Sequence, residues 1–392
     1  MRKKLRIDLF QAYFDARKNK RSTINALSFE VNYETKLIKL AREIYNQNYN
    51  IGRSICFISF YPVKREIFAA NFRDRIVHHL LYNYIVNIFE NYFLYDCYSC
   101  RLNKGTSLGV KRIDHFVRCC SENYTSDCYI LKLDISGYFM SIDKSILYNQ
   151  IITVLDRYKE TVDFDINLVL LLLKKIISHD PTVNCIMKGS KNDWKNLPKS
   201  KSLFYSGKSK GLPIGNLTSQ LFGNIYLNDF DHFVHHKLKI KYYGRYVDDF
   251  VLIHKNKKYL LSLMPIIDKY LKENLNLSIN TKKTYFQHYS KGVKFLGRII
   301  KPNRIYIANQ TKTSFYKSIQ NWNKIIRKDK TITDSNLNLF LSSMNSYLGI
   351  LKHYKTYRLR KSMLKNLSAY FWNYVYPSEN YSILKLKRKN IF

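Results

Sequence analysis

Apolar residues recur at helical spacing in two early stretches. Leu37, Leu40, Ala41 and Ile44 predict a helix over residues 28–46, and Val77, Leu80, Leu81, Tyr84, Ile85 and Ile88 predict another over 76–93. Between them, residues 55–68 read as two short strands turning near Pro62, the second presenting Lys64 and Arg65 as a cation-tipped hairpin suited to phosphate. Residues 129–135 form a strand with Leu131, Leu133 and Ile135 on one face and Ile130, Lys132 and Asp134 on the other. Asp143 is a candidate N-cap for a helix reaching Leu155, and residues 162–178 predict a helix with a very apolar face. Residues 181–209 are a polar, Lys-rich connection, ordered or mobile. A long helical pattern covers 217–238. Two strand-forming runs in 241–254 then place Asp248 and Asp249 at a hairpin turn. Residues 260–275 are helical, 293–300 and Arg304–Ile307 read as short strands joined through Pro302, and the chain from about Thr311 is basic and mainly helical. No internal repeat is visible.

Charge changes this picture more than any single motif. The chain has 392 residues with 66 Lys+Arg against 29 Asp+Glu, a formal net charge of +37, and 46% hydrophobic residues, enough for a sizeable core. Such an excess repels itself unless a polyanion neutralises it, and the cations are interspersed with 33 Tyr and 23 Phe that can stack on bases. Nucleic acid is the expected partner, with binding that weakens steeply in salt. An AT-rich genome would account for part of the Lys content but not for the balance.

The longest apolar run, 168–173, is far short of a membrane span, so a soluble protein with no membrane partner is expected. The charged N-terminus lacks the apolar stretch of a secretory signal, which predicts a cytoplasmic protein. Seven cysteines fit a reducing compartment. Cys97 and Cys100, with Cys119, Cys120 and His115, invite a zinc reading, but no second ligand pair completes the usual spacing, and structural thiols are expected instead.

Adjacent carboxylates at a strand turn repel one another and call for a compensating cation. Two Mg²⁺ ions about 4 Å apart, held by carboxylates from separate strands, suit phosphoryl transfer to a 3′-hydroxyl. Asp134, ending its strand, is the candidate third ligand. A solvated Asp-Asp turn is the plainer alternative.

Context favours the metal reading, because at this point the sequence resembles reverse transcriptases. Tyr246-Val247-Asp248-Asp249 matches the Y-x-D-D box, and other elements follow in family order. Lys64-Arg65-Glu-Ile with Asp74-Arg75 resembles the first fingers block, and Tyr98 to Thr106, with Arg101, Lys104 and Gly105, the second. Leu133-Asp134-Ile135-Ser-Gly-Tyr-Phe139 is similar to the first palm motif, 277–284 to the Lys-Thr element, and Val293-Lys-Phe295-Leu296-Gly297 to the primer grip. Where most of the family has Q-G-x-x-x-S-P, this chain has Ile214-Gly215-Asn216-Leu217-Thr218-Ser219-Gln220, resembling the reverse transcriptases of diversity-generating retroelements. Lys201-Ser-Leu-Phe and Lys210-Gly-Leu-Pro resemble that subgroup as well.

The resemblance implies an α+β right-hand polymerase fold with fingers (1–125, with N-terminal helices), palm (126–300, antiparallel sheet plus helices, with an insertion at about 156–210) and a helical basic thumb (301–392). It implies a bacterial or phage-encoded RNA-directed DNA polymerase that copies a template RNA into cDNA with errors at adenines, for diversification of a variable gene. Its partners would be template RNA, the cDNA/RNA hybrid, deoxynucleoside triphosphates and a small basic helical accessory oligomer. The catalytic set would be Asp134, Asp248, Asp249 and Lys283, the last protonating pyrophosphate, and the Mg²⁺ set Asp134, Ile135, Asp248 and Asp249. Lys64, Arg65, Phe139 (against the ribose 2′-hydroxyl), Ile214, Gly215 and Gln220 would meet the nucleotide. Arg75, Arg101, Lys104, Tyr246, Val247, Phe295, Leu296 and Gly297 would meet primer and template, although Arg75, Arg101 and Lys104 have a purely structural alternative. For Arg65 the alternative is a surface pair with Glu66, for Lys283 a solvated Lys beside Lys282, for Phe139 plain core, and for Tyr246 and Val247 ordinary strand packing. A phage-defence or retron-type reverse transcriptase and a noncatalytic maturase-like RNA-binding protein are the competing functions. No ribonuclease H-like domain or endonuclease is recognisable.

Overall fold

The computed structural model describes residues 2–18, 20, 23–60, 63–329 and 332–387. It separates into two compact units, residues 1–112 with 129–286 and residues 113–128 with 287–392. Among the described residues no helix is long and apolar enough to cross a membrane.

The first unit opens with α1 (Arg2–Arg17), α2 (Ile24–Glu30) and α3 (Tyr33–Tyr45). The single helix predicted over 28–46 is thus two, because the chain turns at Asn32, whose φ of 57° lies in the left-handed region that Asn tolerates better than most residues. Tyr13 of α1 stacks on Tyr33 at the start of α3 with ring centroids 4.7 Å apart. β1 (Ile55–Ser59) and β2 (Arg65–Ala69) pair antiparallel as expected, while the turn at Pro62 lies outside the described residues. α4 (Phe72–Glu90) follows, capped by the Asn71 side chain, with Ile76, Val77, Leu80, Leu81 and Ile85 buried.

Helix α5 (Thr106–Cys120), which the sequence reading had not marked, leads into the second unit's residues 113–128 and returns through β3 (Tyr129–Asp134). Next come α6 (Tyr138–Ser141), α7 (Lys144–Leu155), capped by Asp143 as predicted, and α8 (Ile166–Ser178), which starts later than expected because Asp165 caps it. The 181–209 connection is ordered. Its β4 (Ile186–Met187) adds to β1 in parallel, giving the sheet order β2-β1-β4. Fully buried Glu66 accepts hydrogen bonds from Trp194 Nε1 (2.7 Å), Ser202 Oγ (2.8 Å) and the Leu203 N–H (2.6 Å). The carboxylate named as the alternative partner of Arg65 is therefore turned inward.

The helix predicted over 217–238 is broken into α9 (Leu217–Tyr226), α10 (Asn228–His232) and a widened turn at Phe233–Lys237. β5 (Tyr242–Tyr246) and β6 (Asp249–His254) form the predicted hairpin, followed by α11 (Lys257–Leu275) and β7 (Tyr285–His288). These strands and β3 make a sheet of order β5-β6-β3-β7, with Leu131, Leu133, Phe250 and Leu252 buried in the core shared by α4, α7, α9 and α11.

Buried His78 on α4 faces Thr218 on α9, Nδ1 to Oγ1 2.7 Å. Burial, with help from the positive charge of neighbouring His79 and Arg75, pulls its pKa down to about 3. Below the ordinary His value of about 6.5 the unfolded chain takes up a proton that the folded one refuses, so stability falls with pH from there toward 3. Between pH 7 and 5 this one group is expected to cost about 2 kcal/mol, and His78→Gln to lose that much less in urea titrations at the two pH values. Equal losses for both proteins would contradict it.

The second unit contains the three-stranded antiparallel sheet β8 (Val293–Phe295), β9 (Arg298–Lys301) and β10 (Arg304–Ile307). The strand predicted over 293–300 is two, because Leu296 (φ 48°) and Gly297 (φ 75°) form a tight left-handed hairpin turn. α12 (Asn309–Asp329), α13 (Asp334–Leu351) and α14 (Tyr357–Leu364) pack around Phe315, Phe340, Met344, Leu348 and Phe371. The helical basic reading holds for most of this stretch. The hairpin of β11 (Val375–Ser378) and β12 (Ile383–Leu386) was not anticipated, since four-residue strands carry too little alternation to be seen.

Candidate active site

Antiparallel pairing of β3 with β6 sets Asp134 directly opposite Asp249, and the two-residue turn between β5 and β6 carries Asp248 beside them. The Ile135 N–H donates to the Asp248 carbonyl at 3.2 Å, closing the end of β3 onto the turn. Asp134 is 4% exposed; Lys283 donates to both its oxygens (2.9 and 2.8 Å), and Asn280 Nδ2 lies 3.3 Å from Oδ1. Residues 278–280 are stitched to the strand end, Ser136 N–H to the Ser278 carbonyl and Asn280 N–H to the Asp134 carbonyl. That stitching is what delivers Lys283.

Burial, then repulsion from Asp134 and Asp249, pushes the Asp248 carboxyl up to about 6. Asp249 is raised by burial despite its ion pair with Lys132. Asp249 Oδ1 lies 3.2 Å from the Lys132 ammonium but off the direction of a hydrogen bond, leaving a buried oxygen with a cation beside it and no donor aimed at it. Burial lowers Lys283, and the surrounding Asp134, Asp248 and Asp249 more than offset this and leave it raised.

Among the described residues no three His, Cys, Asp or Glu side chains already stand in a metal-holding arrangement. In donor chemistry the site nonetheless fits a divalent cation: hard carboxylate oxygens only, too few cations for their charge, and one orphaned oxygen.

Several other candidate residues gather on the same unit. Phe139, half-buried in α6, packs against Tyr138 (5.3 Å between ring centroids) and over Gly223, where a Cβ would come within 3.3 Å of its ring. The Ile214 carbonyl accepts the Phe68 N–H (2.8 Å) and Asn216 Oδ1 the Ala70 N–H (3.1 Å), so the Ile214–Gly215 loop is tied along β2. Gly215, φ 128°, leaves no room for a Cβ, which would lie 2.9 Å from Ile67 and 3.0 Å from the Phe68 carbonyl. Gln220 is exposed on the first turn of α9. Arg65 is exposed, and its charge counters the rise that burial causes in the Tyr246 phenol. Lys64 Nζ is engaged on the Lys195 carbonyl at 2.6 Å.

The other arginines serve the fold in this state. Arg101 grips Glu90 and the carbonyls of Leu94 and Cys97, Arg75 bonds the Ala70 carbonyl, and Lys104 bonds the Tyr95 carbonyl while lying over its ring. Cys97 is buried and donates to Asp231, and Cys119 faces His115 within α5. In the second unit Phe295 is fully buried, while Lys294 is exposed and the Leu296–Gly297 turn half-buried.

The sequence reading missed Lys132 as a partner of Asp249, Asn280 as a partner of Asp134, and the buried group Ser99, Asn224, Asp231 and Arg245 beneath the hairpin. Lys132 was placed on the Asp134 face, Asn280 lay inside a quoted motif, and Arg245 stands directly before Tyr246. No sequence signal pairs Arg245 with Asp231.

Residues 64–300 match the family model described as reverse transcriptase (RNA-dependent DNA polymerase). The putative COX1/OXI3 intron 2 protein of Saccharomyces cerevisiae is 24% identical over 276 residues, covering 60% of this chain and 30% of that protein. Protein YkfC of Escherichia coli is 24% identical over 267 residues, covering 60% of this chain and 62% of that one. The chain thus spans less than two thirds of either relative. Among solved structures, apo telomerase from Candida tropicalis aligns over 70% of this chain and 60% of its own with 14% identity and a TM-score of 0.45. Telomerase from Candida albicans, in complex with a fragment of telomeric RNA, aligns over 87% and 62% with 13% identity and a TM-score of 0.43. With the family model covering more than half of its length, the chain, an α+β protein of the right-hand polymerase class, belongs to the reverse transcriptase family.

Proposed function

We propose that this protein is an RNA-directed DNA polymerase whose reaction centre is built on Asp134, Asp248 and Asp249. The observation that carries the proposal is the register placing Asp134 opposite Asp249, with Asp248 on the adjoining turn. Asp134, Asp248 and Asp249 would hold the divalent cations, with Ile135 beside them, and bound Mg²⁺ would supply charge neutralisation for the attacking 3′-hydroxyl and the leaving pyrophosphate. Lys283, released from Asp134, is the general acid for pyrophosphate. Arg65 offers its rigid fork to the triphosphate, joined by Lys64 once it leaves the Lys195 carbonyl. Phe139 bounds the sugar, and Tyr246 and Val247 line the primer end.

The test is deoxynucleotide incorporation on a primed RNA template, with Asp248→Ala as control. Template-dependent extension by the wild type alone supports the assignment. Equal signals from both proteins would leave a noncatalytic RNA-binding role.

The finer assignment, a diversity-generating retroelement enzyme acting with a basic helical accessory oligomer, rests on Ile214-Gly-Asn-Leu-Thr-Ser-Gln220. An aliphatic Ile214 where most of the family has an amide removes a hydrogen-bonding partner near the templating base. Ile214→Gln is therefore expected to lower misincorporation opposite template adenine by about tenfold, scored by sequencing the cDNA. Unchanged infidelity would count against that role for Ile214.

A further inference from the structure

Below the β5–β6 turn lies a closed polar network that the proposed chemistry does not use. Asp231 is 0% exposed and Arg245 is 1% exposed. They pair through two hydrogen bonds, Nε to Oδ1 at 2.7 Å and Nη2 to Oδ2 at 2.6 Å. Tyr243 Oη (2.6 Å) and Cys97 Sγ (3.0 Å) donate to the same carboxylate, so Asp231 is held from four directions. The third guanidinium nitrogen, Nη1, donates to the Val247 carbonyl at 3.0 Å. On the other side of that residue, the Val247 N–H donates to Ser99 Oγ at 3.2 Å. Ser99 is itself fixed by Asn224, donating to Oδ1 (3.1 Å) while its carbonyl accepts from Nδ2 (2.8 Å).

Both backbone polar groups of Val247 are thus tied to buried side chains. Val247 also has φ 57° while Asp248 does not have positive φ, a turn whose first central position favours glycine. A β-branched residue held there is strained, and such strain persists only where its surroundings enforce it. We propose that Ser99 and Arg245, fixed by Asn224 and Asp231, are positioning residues that hold Val247 in this left-handed turn and thereby set where Asp248 stands relative to Asp134. This rests on the polymerase reading for its effect on rate, but not for its effect on the turn.

The role differs from general stability in one respect: it is specific to a side chain that resists positive φ. Glycine at 247 needs no such enforcement. The test is therefore a cycle of Ser99→Ala, Val247→Gly and the double variant, with Asp231→Asn as a stronger lesion in parallel. Ser99→Ala is the mild variant that keeps the buried ion pair and so the fold. Single-nucleotide incorporation is measured across dNTP concentration, and amide hydrogen exchange across residues 246–249 by mass spectrometry.

Ser99→Ala is expected to lower kcat about tenfold with the dNTP KM within about twofold, and to speed exchange at the turn about tenfold. Ser99→Ala should change kcat far less in the Val247→Gly background than in the wild type, a coupling of about fivefold or more, because glycine at 247 removes the need for the hold on the turn. Identical fold effects of Val247→Gly in both backgrounds, or unchanged exchange at the turn in Ser99→Ala, would overturn the proposal. Should the wild type match Asp248→Asn in incorporating nothing, the polymerase reading fails, and the exchange measurement still decides whether the network holds the turn.

Discussion

Asp248→Asn is expected to lower deoxynucleotide incorporation by about three orders of magnitude or more while leaving RNA affinity within about twofold. The side chain keeps its shape and loses its charge, so what disappears is the donor that, with Asp134, would hold both ions. Asp249→Asn should cost less, about ten- to a hundredfold, because Asp249 lies against Lys132 and would be the more replaceable ligand. The thermal midpoint of Asp248→Asn should stay level or rise, since burial and two neighbouring carboxylates all oppose the charge it removes. Primer extension with quenched-flow sampling, beside a binding titration and a thermal melt, checks all three. An Asp248→Asn protein that extends primers at a tenth of the wild-type rate would refute the proposed centre.

Phe139→Ala is expected to reduce the preference for deoxy- over ribonucleotides by about a hundredfold. Phe139 sits in the turn of helix that begins four residues after Asp134, half-exposed, its backbone carbonyl bonded to the Leu212 N–H at 2.8 Å and its ring resting on Gly223. The ring is therefore fixed without being enclosed, which suits a wall against a ribose 2′-hydroxyl. A ring that is merely core predicts a different outcome, a lower melting temperature with the sugar preference intact. Competition between dNTP and rNTP of the same base, read as the ratio of kcat/KM values, distinguishes the two.

The Asp134, Asp248 and Asp249 triad was legible because each lies in a local pattern of unmistakable kind. Residues 129–135 alternate, residues 241–254 are β-rich on both sides of two acids, and strand pairing then has few ways to bring Asp134 anywhere else. The fate of single charged side chains was less legible. Arg101, offered as a template contact or a fold residue, is consumed by Glu90 and two carbonyls, because a guanidinium reaching a helix end finds acceptors that sequence spacing does not reveal. Glu66 was weighed as a partner for its neighbour Arg65, but adjacent residues on a strand point to opposite faces, and the buried face carries Glu66 inward to Trp194 and Ser202.

Helix boundaries divided along the same line. Caps written in the sequence, such as Asp143, fell where expected, whereas the break at Asn32 and the widening at Phe233–Lys237 did not, the second because apolar periodicity runs through it from Phe230 by Val234 to Leu238.

What the amino-acid order settled alone was whatever depends on neighbours a few positions apart: the alternating strands, the acidic hairpin, the basic excess and the motif series that marks the family. What required the tertiary structure was every interaction between distant side chains. Lys283 on Asp134, Lys132 on Asp249, and Arg245 on Asp231 beneath Val247 are each brought together by chain segments whose approach no local pattern encodes. Burial decides these pairings, because a charge removed from water must find a partner, and which partner is within reach is a property of the folded chain.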